Sequence, residues 1–214
     1  MLIQTPVPDE HKSIMNHDAF DRLYWSVLDP AGISSVQVAE DNEDASPSSR
    51  AYLPNHPIAL EPATITNANK LIFTAKDLGV HASECHMWSD GFEEPEDGVE
   101  NLEDAWNYFV IETEDGSPLL IRDVVNQFHA WANRPFIEDK IRESLLYLYN
   151  SCSDNSSHVP KGVKIFLESV EQYGSYEDAC APVVYMNLWV EGYENKDAQY
   201  FWKSRVNPRK YSVE

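Results

Sequence analysis

An α+β fold, with an antiparallel sheet of about four to five strands packed by three to four helices and a long acidic loop, is what this sequence predicts. Three observations lead there. Apolar residues recur at helical spacing between Phe136 and Tyr149, they alternate with their neighbours between Val184 and Glu191, and acidic residues gather between Asp77 and Asp115. The first two periods, 3.6 and 2, belong to helix and strand, and both occur in one chain. At 214 residues a single domain over 1–214 is expected, with 1–15 and 38–50 flexible.

From Asp18 to Leu28, the residues Phe20, Leu23, Tyr24, Val27 and Leu28 fit helical spacing, and Asn16 or Asp18 can cap the start. A short amphipathic helix is expected, ended by Asp29-Pro30-Ala31-Gly32 because Pro disfavours helical geometry in the residue before it. Glu40 to Arg50 has no large apolar residue, so ordering it would cost entropy with no burial in return. Leu53 to Pro62 carries three prolines between apolar residues, which suits an extended segment across a surface. Lys70 to Ala75 reads as a strand.

Trp106 to Glu112 reads as a strand by its aromatic and β-branched content, Glu114-Asp115-Gly116 as a turn, and Leu119 to Ile121 as a short returning strand. Asp123 to Ala132 switches to a helical period with Val124, Val125, Phe128 and Trp131 on one face. Asn133-Arg134-Pro135 ends that helix and starts the next, Phe136 to Tyr149, whose stripe is Ile137, Ile141, Leu145 and Leu148. Both are expected to pack on a sheet that includes Trp106 to Ile111 and Val184 to Val190. Val163, Phe166, Leu167, Val170 and Tyr173 again fit helical spacing, with Gly174 placed to close a fourth helix. Val184 to Val190 alternates as a strand, and Tyr200 to Val206 is expected to pair with it as a closing antiparallel hairpin.

Composition narrows the function classes. The chain has 36 acidic residues against 16 Lys plus Arg, a formal charge of −20, so its average field repels nucleic acid and anionic membrane surfaces. Thirteen of those acids lie between Asp77 and Ile121, a stretch with no Lys or Arg, and they are densest from Asp90 to Asp104. An apolar fraction of 43% with six Trp and eleven Tyr is that of a chain that folds. Met1 to Pro6 has neither a basic start nor an apolar core, and no stretch reaches the length of a membrane span, so a soluble cytoplasmic protein is expected. Cys85, Cys152 and Cys180 are three and widely spaced, which fits free thiols rather than a disulfide framework.

Motifs for chemistry are sparse. His81, Cys85 and His86 combine imidazole and thiol ligands, but no second Cys stands at CxxC spacing, so no metal ligand is assigned. Glu93 to Asp104 has the length of a calcium loop, yet Pro95 occupies a ligand position and Asp104 replaces the closing Glu. The acids around Cys85 raise rather than lower a thiol pKa, and the chain contains neither GxGxxG nor GxxxxGK[ST]. His129 sits on a helix beside core-facing aromatics, where it reads either as a structural histidine or as a general base.

The run Pro118-Leu-Leu-Ile-Arg-Asp-Val-Val-Asn-Gln-Phe-His-Ala-Trp131, together with Pro62-Ala63-Thr64 and the final stretches Val184 to Val190 and Gln199 to Val206, resembles an uncharacterised domain family of mushroom-forming, basidiomycete-type fungi. The likeness extends over residues 52 to 206, with Arg122-Asp123-Val124 and His129 at its best-matched positions, while the acidic loop and the Cys180 region have no counterpart. It implies a small cytoplasmic α+β domain and carries over no catalytic residue.

Two functional expectations follow. The first is a non-enzymatic binding or scaffold domain that presents Asp90, Glu93, Glu94, Glu96, Asp97, Glu100, Glu103 and Asp104 to a basic protein partner. The second is a small cofactor-independent enzyme or binding protein for an apolar metabolite, held in a pocket of His129, Trp131, Trp106 and Trp189. Neither invokes a cofactor, a metal, nucleic acid or a membrane.

Overall fold

The computed structural model describes residues 14–40, 50–74, 108–150, 156–172 and 181–206. It is an α+β structure with two sheets. Strands β1 (Leu23–Tyr24), β2 (Gln37–Val38) and β3 (Ala51–Tyr52) form a small antiparallel sheet in that order. Strands β4 (Lys70–Thr74), β5 (Tyr108–Glu112), β6 (Ile165–Gln172) and β7 (Val183–Val190) form the larger sheet in the order β5-β4-β7-β6, in which only the β4–β7 pair is parallel.

The helices are α1 (His17–Phe20), α2 (Ile121–Ala132), α3 (Pro135–Ser144), α4 (Leu146–Asn150) and α5 (Ala198–Val206). Helix α2 starts where the Asp123 carboxylate accepts the Leu120 N–H at 3.0 Å, and Pro135 opens α3 with its φ already helical. Their apolar stripes, Val124, Val125, Phe128, Trp131, Ile137, Ile141 and Leu145, join one core with Leu71, Phe73, Ile111, Val184, Met186, Leu188 and Val190. This is the packing the two stripes predict. Each such side chain contributes about 1.5–3 kcal/mol by leaving water. The expected single helix from Phe136 to Tyr149 breaks at Leu145, which caps α3 and is itself fully buried. No helix among the described residues is long and apolar enough to cross a membrane.

Six expectations are corrected. The helix over 18–28 shrinks to α1, capped by Asn16 Oδ1 on the Ala19 N–H at 3.2 Å. Beyond it the chain is extended, with Leu23, Trp25 and Val27 buried in alternation, and it pairs with β6 through Val27 N–H to Ile165 O at 2.8 Å and Leu167 N–H to Trp25 O at 2.9 Å. The helix over 163–173 is instead strand β6. A β-bulge between Leu167 and Ser169 inserts one residue, so the inward set is Ile165, Leu167 and Val170, and the interrupted period of two imitates a helical stripe.

The closing strand over 200–206 is instead α5, whose first turn is held by Asp197 Oδ1 accepting the Tyr200 N–H at 2.8 Å. Strand β7 already has β4 on one side and β6 on the other, which leaves no edge for a further strand. The returning strand over 119–121 is reduced to one bridge, Leu120 with Pro62, because Ile121 opens α2. The proline-rich stretch is compact rather than extended, forming 3-10 turns at Leu53–Asn55 and Pro57–Leu60. Ile14 and Met15, expected in a flexible leader, are tied down by Ile65 N–H to Ile14 O at 2.7 Å and by a Met15–Thr64 bridge. Of the expected flexible stretch 38–50, residues 41–49 lie outside the described residues.

Candidate functional site

Strand β5 is an edge of the larger sheet, and its pairing phase decides which backbone groups face outward. Thr113 N–H donates to Asn69 O at 3.1 Å, so by the two-residue period Ile111 and Phe109 also bond toward β4, whereas Glu112, Val110 and Tyr108 turn their N–H and C=O groups away from the sheet. Gln127 of α2 covers the first of these: its Oε1 accepts the Glu112 N–H at 3.4 Å and its Nε2 donates to the Glu112 carbonyl at 3.1 Å. The outward amide and carbonyl of Val110 have no partner among the described residues.

Acids crowd this edge. Glu112 is exposed and pairs with Lys70 at 3.1 Å, and Glu114 and Asp115 follow in the exposed turn. Hydrogen bonds from Ser117 hold the Asp115 carboxyl below the usual carboxylate range. At the opposite end of the strand, Tyr108 pairs with Thr74, so both ends of the segment 75–107 are anchored on neighbouring strands at one corner of the sheet. That segment holds ten acidic residues and one Lys. The predicted partner-binding residues Asp90, Glu93, Glu94, Glu96, Asp97, Glu100, Glu103 and Asp104 lie outside the described residues, as do Trp106, His81, Cys85 and His86.

The described members of the predicted aromatic pocket are not brought together. Trp131 is packed in the main core, stacked on Phe109 with centroids 5.3 Å apart and touching Phe128 at 5.3 Å. Trp189 is on the other face of the sheet, stacked on Phe201 at 5.2 Å and beside Phe166 at 5.7 Å. His129 is half-buried, and its Nε2–H donates to the Asp29 carbonyl at 2.8 Å, which fixes the turn before Gly32. No group of three or more His, Cys, Asp or Glu able to hold a metal occurs among the described residues.

Among the described residues, open grooves mark the surface at two places. One of ≈570 Å³ is lined by Ile33, Asn55, His56, Leu60 and Arg122, and the other, of ≈390 Å³, by Tyr149, Val163, Glu191, Lys196 and Asp197. Neither includes His129, Trp131 or Trp189.

Sequence reasoning also missed a polar strip on the outer face of the sheet. Glu171 accepts from Tyr185 OH at 3.0 Å and from Asn187 Nδ2 and Ser169 Oγ at 3.2 Å each. These four side chains divide the apolar patch of Ile72, Ala181 and Val183 from that of Phe166, Trp189 and Phe201. Beyond it, the Arg205 guanidinium donates to the carbonyls of Leu167 and Glu168 at the bulge, and burial pushes it down to about 10 against the opposing pull of Asp21 and Glu168. Alternation over 165–172 would have exposed the strip, but the bulge conceals it. These contacts lock α5 to the sheet and account for the strip structurally. Compared with known proteins, the chain matches no family model, no curated protein and no solved structure.

Proposed function

We propose that this chain is a non-enzymatic binding module that engages a basic protein partner through the acidic segment inserted between β4 and β5. One observation carries the reading: ten acids and a single Lys sit in a stretch whose two ends, Thr74 and Tyr108, are paired at one corner of the sheet. Ten acids against one Lys make the stretch strongly anionic. A field of that kind steers a cationic protein and selects against polyanions such as nucleic acid. The cytoplasm is the setting proposed for it.

The test compares the full chain with Glu93→Gln/Glu94→Gln/Glu96→Gln/Asp97→Asn and with a control of equal charge change elsewhere, Asp18→Asn/Glu61→Gln/Asp139→Asn/Glu143→Gln. Immobilised proteins are exposed to cell extract at low salt and at about 0.15 M, where the screening length is about 8 Å. The wild type and the control should retain the same basic partners, which the first variant loses and which higher salt weakens. If all three proteins capture the same partners to the same extent, the reading is wrong.

A further inference from the structure

We infer that the larger groove, between the proline-bearing turns and the start of α2, is a binding site for a small apolar monocarboxylate, an alkyl or aryl acid whose carboxylate sits on the Arg122 guanidinium. None of its residues belongs to the acidic stretch of the function proposed above.

Three parts of the chain build this groove of ≈570 Å³. Ile33 comes from the turn Gly32–Ser35, Pro54, Pro57 and Leu60 from the turns Leu53–Asn55 and Pro57–Leu60, and Arg122 from the first turn of α2. The walls are fixed from beneath. Leu53, Ile58 and Ala59 are buried, and Leu53 N–H donates to the Val36 carbonyl at 2.9 Å. The His56 ring is occupied at both nitrogens: Nδ1 accepts the Ile58 N–H at 3.2 Å, and Nε2–H donates to Glu40 at 2.8 Å. Beside Arg122, Ile121 N–H donates to the Glu61 carbonyl at 3.0 Å, which ties α2 to the end of the second turn. A preformed site loses little to ordering when a ligand binds. Leu60 is nevertheless 59% exposed, so the wall offers apolar surface for a ligand to take out of water.

Charge and hydrogen bonding select the head group. In a chain of net charge −20, no Asp or Glu lines this groove, whereas Glu191 and Asp197 line the smaller one. The cation of the smaller groove, Lys196, is paired with Glu194. Arg122 is held far more loosely. Its acidic neighbour Asp123 approaches only Nε, at 3.7 Å, and gives its other oxygen to the Leu120 N–H at 3.0 Å. The terminal nitrogens of Arg122 and the Asn55 carboxamide have no hydrogen-bond partner among the described residues, which leaves a planar fork and a neutral donor for the two oxygens of a carboxylate. A peptide terminus would bring an amide N–H and a carbonyl with each residue, and Pro54 and Pro57 offer it no N–H in return. An alkyl or aryl body has no such groups to satisfy.

The experiment titrates octanoate into the full chain and follows the amides of Ile33, Asn55, Leu60 and Arg122 by NMR. These should shift together and saturate, and octanol and octylamine, which keep the tail and change the head, should bind at least about tenfold more weakly. Acetylated Ala-Ala-Leu with a free carboxylate should also bind more weakly than octanoate. Arg122→Gln should lose at least about tenfold in affinity, Arg122→Lys should recover only part of it, and Leu60→Ser should lose about threefold or more. Arg122 and Leu60 are both largely exposed, so thermal melts of these variants should match the wild type. Octanoate that moves none of the four amides, or binds no better than octanol, would overturn the inference on the wild-type chain alone. Unchanged affinity in folded Arg122→Gln would overturn it as well, and tighter binding of the peptide would assign the groove to a protein terminus and overturn the small acid.

Discussion

Replacing Gly32 with Ala probes how His129 is used. Gly32 has φ +56°, and a Cβ there would stand 3.1 Å from His129 Cε1 and 3.2 Å from Nδ1. The left-handed backbone costs an L-residue about 1–2 kcal/mol. Moving the imidazole aside also breaks its 2.8 Å bond to the Asp29 carbonyl, a loss of about 0.5–1.5 kcal/mol. Gly32→Ala should therefore destabilise by about 1.5–3.5 kcal/mol, and in a His129→Ala background only the backbone part of about 1–2 kcal/mol should remain. Chemical denaturation of the four proteins of the cycle measures the difference, and the effect of Gly on the unfolded chain cancels within it. A coupling of zero, or a Gly32→Ala variant as stable as the wild type, would refute the packing of His129 against this turn.

Other perturbations test other parts of the structure. Leu145→Ala, at a fully buried site, should cost about 2–5 kcal/mol in urea denaturation, while Asp139→Ala on the exposed side of the same helix should change stability by no more than about 0.5 kcal/mol. Equal midpoints would overturn the core assignment. Arg142 is 6% exposed and bonds the Glu138 carboxylate at 2.9 Å and the carbonyls of Pro160 at 2.9 Å and Lys161 at 3.2 Å, so Arg142→Ala should cost about 2–4 kcal/mol. Arg142→Lys should restore only part of that, because an ammonium lacks the planar fork; full recovery in thermal melts would contradict the fan of bonds. Burial, opposed by Arg50, pushes the Tyr24 phenol from 10.0 up to about 12. Its folded-state pKa is thus the higher one, so its contribution is complete below pH 10 and is lost as the pH rises from there through about 12. Tyr24→Phe should flatten that part of the stability curve, and an unchanged slope would show that Tyr24 does not cause it.

Much of the edge at β5 was legible in residue order. The strand reads from its aromatic and β-branched run, the turn after it from Glu114-Asp115-Gly116, and the charge around it from the absence of Lys and Arg between Asp77 and Ile121. What could not be read was that Val110 faces outward and that Gln127 covers only Glu112, because each depends on the phase of pairing with β4 and on where α2 crosses the sheet. His129 and Trp131 were placed on the right helix, but the neighbours that occupy them, Asp29 and Phe109, come from distant parts of the chain.

By itself, the sequence determined what arises from neighbours a few residues apart: the stripes of α2 and α3, the alternation of β7, the stop at Asn133-Arg134-Pro135 and the acidity of one long insertion. Local spacing selects a period, and a period selects helix or strand when it is unbroken. Tertiary structure alone decided where spacing was ambiguous. Residues 165–172 became a strand because they fill the position between β7 and Trp25–Val27, with a bulge at Glu168 absorbing the extra residue. Residues 198–206 became a helix because β7 had no edge left, although Tyr200 and Trp202 alternate as a strand would. A strand is satisfied only by a partner, whereas a helix bonds within itself, so the identity of an ambiguous segment follows from which sheet edges the rest of the chain leaves open.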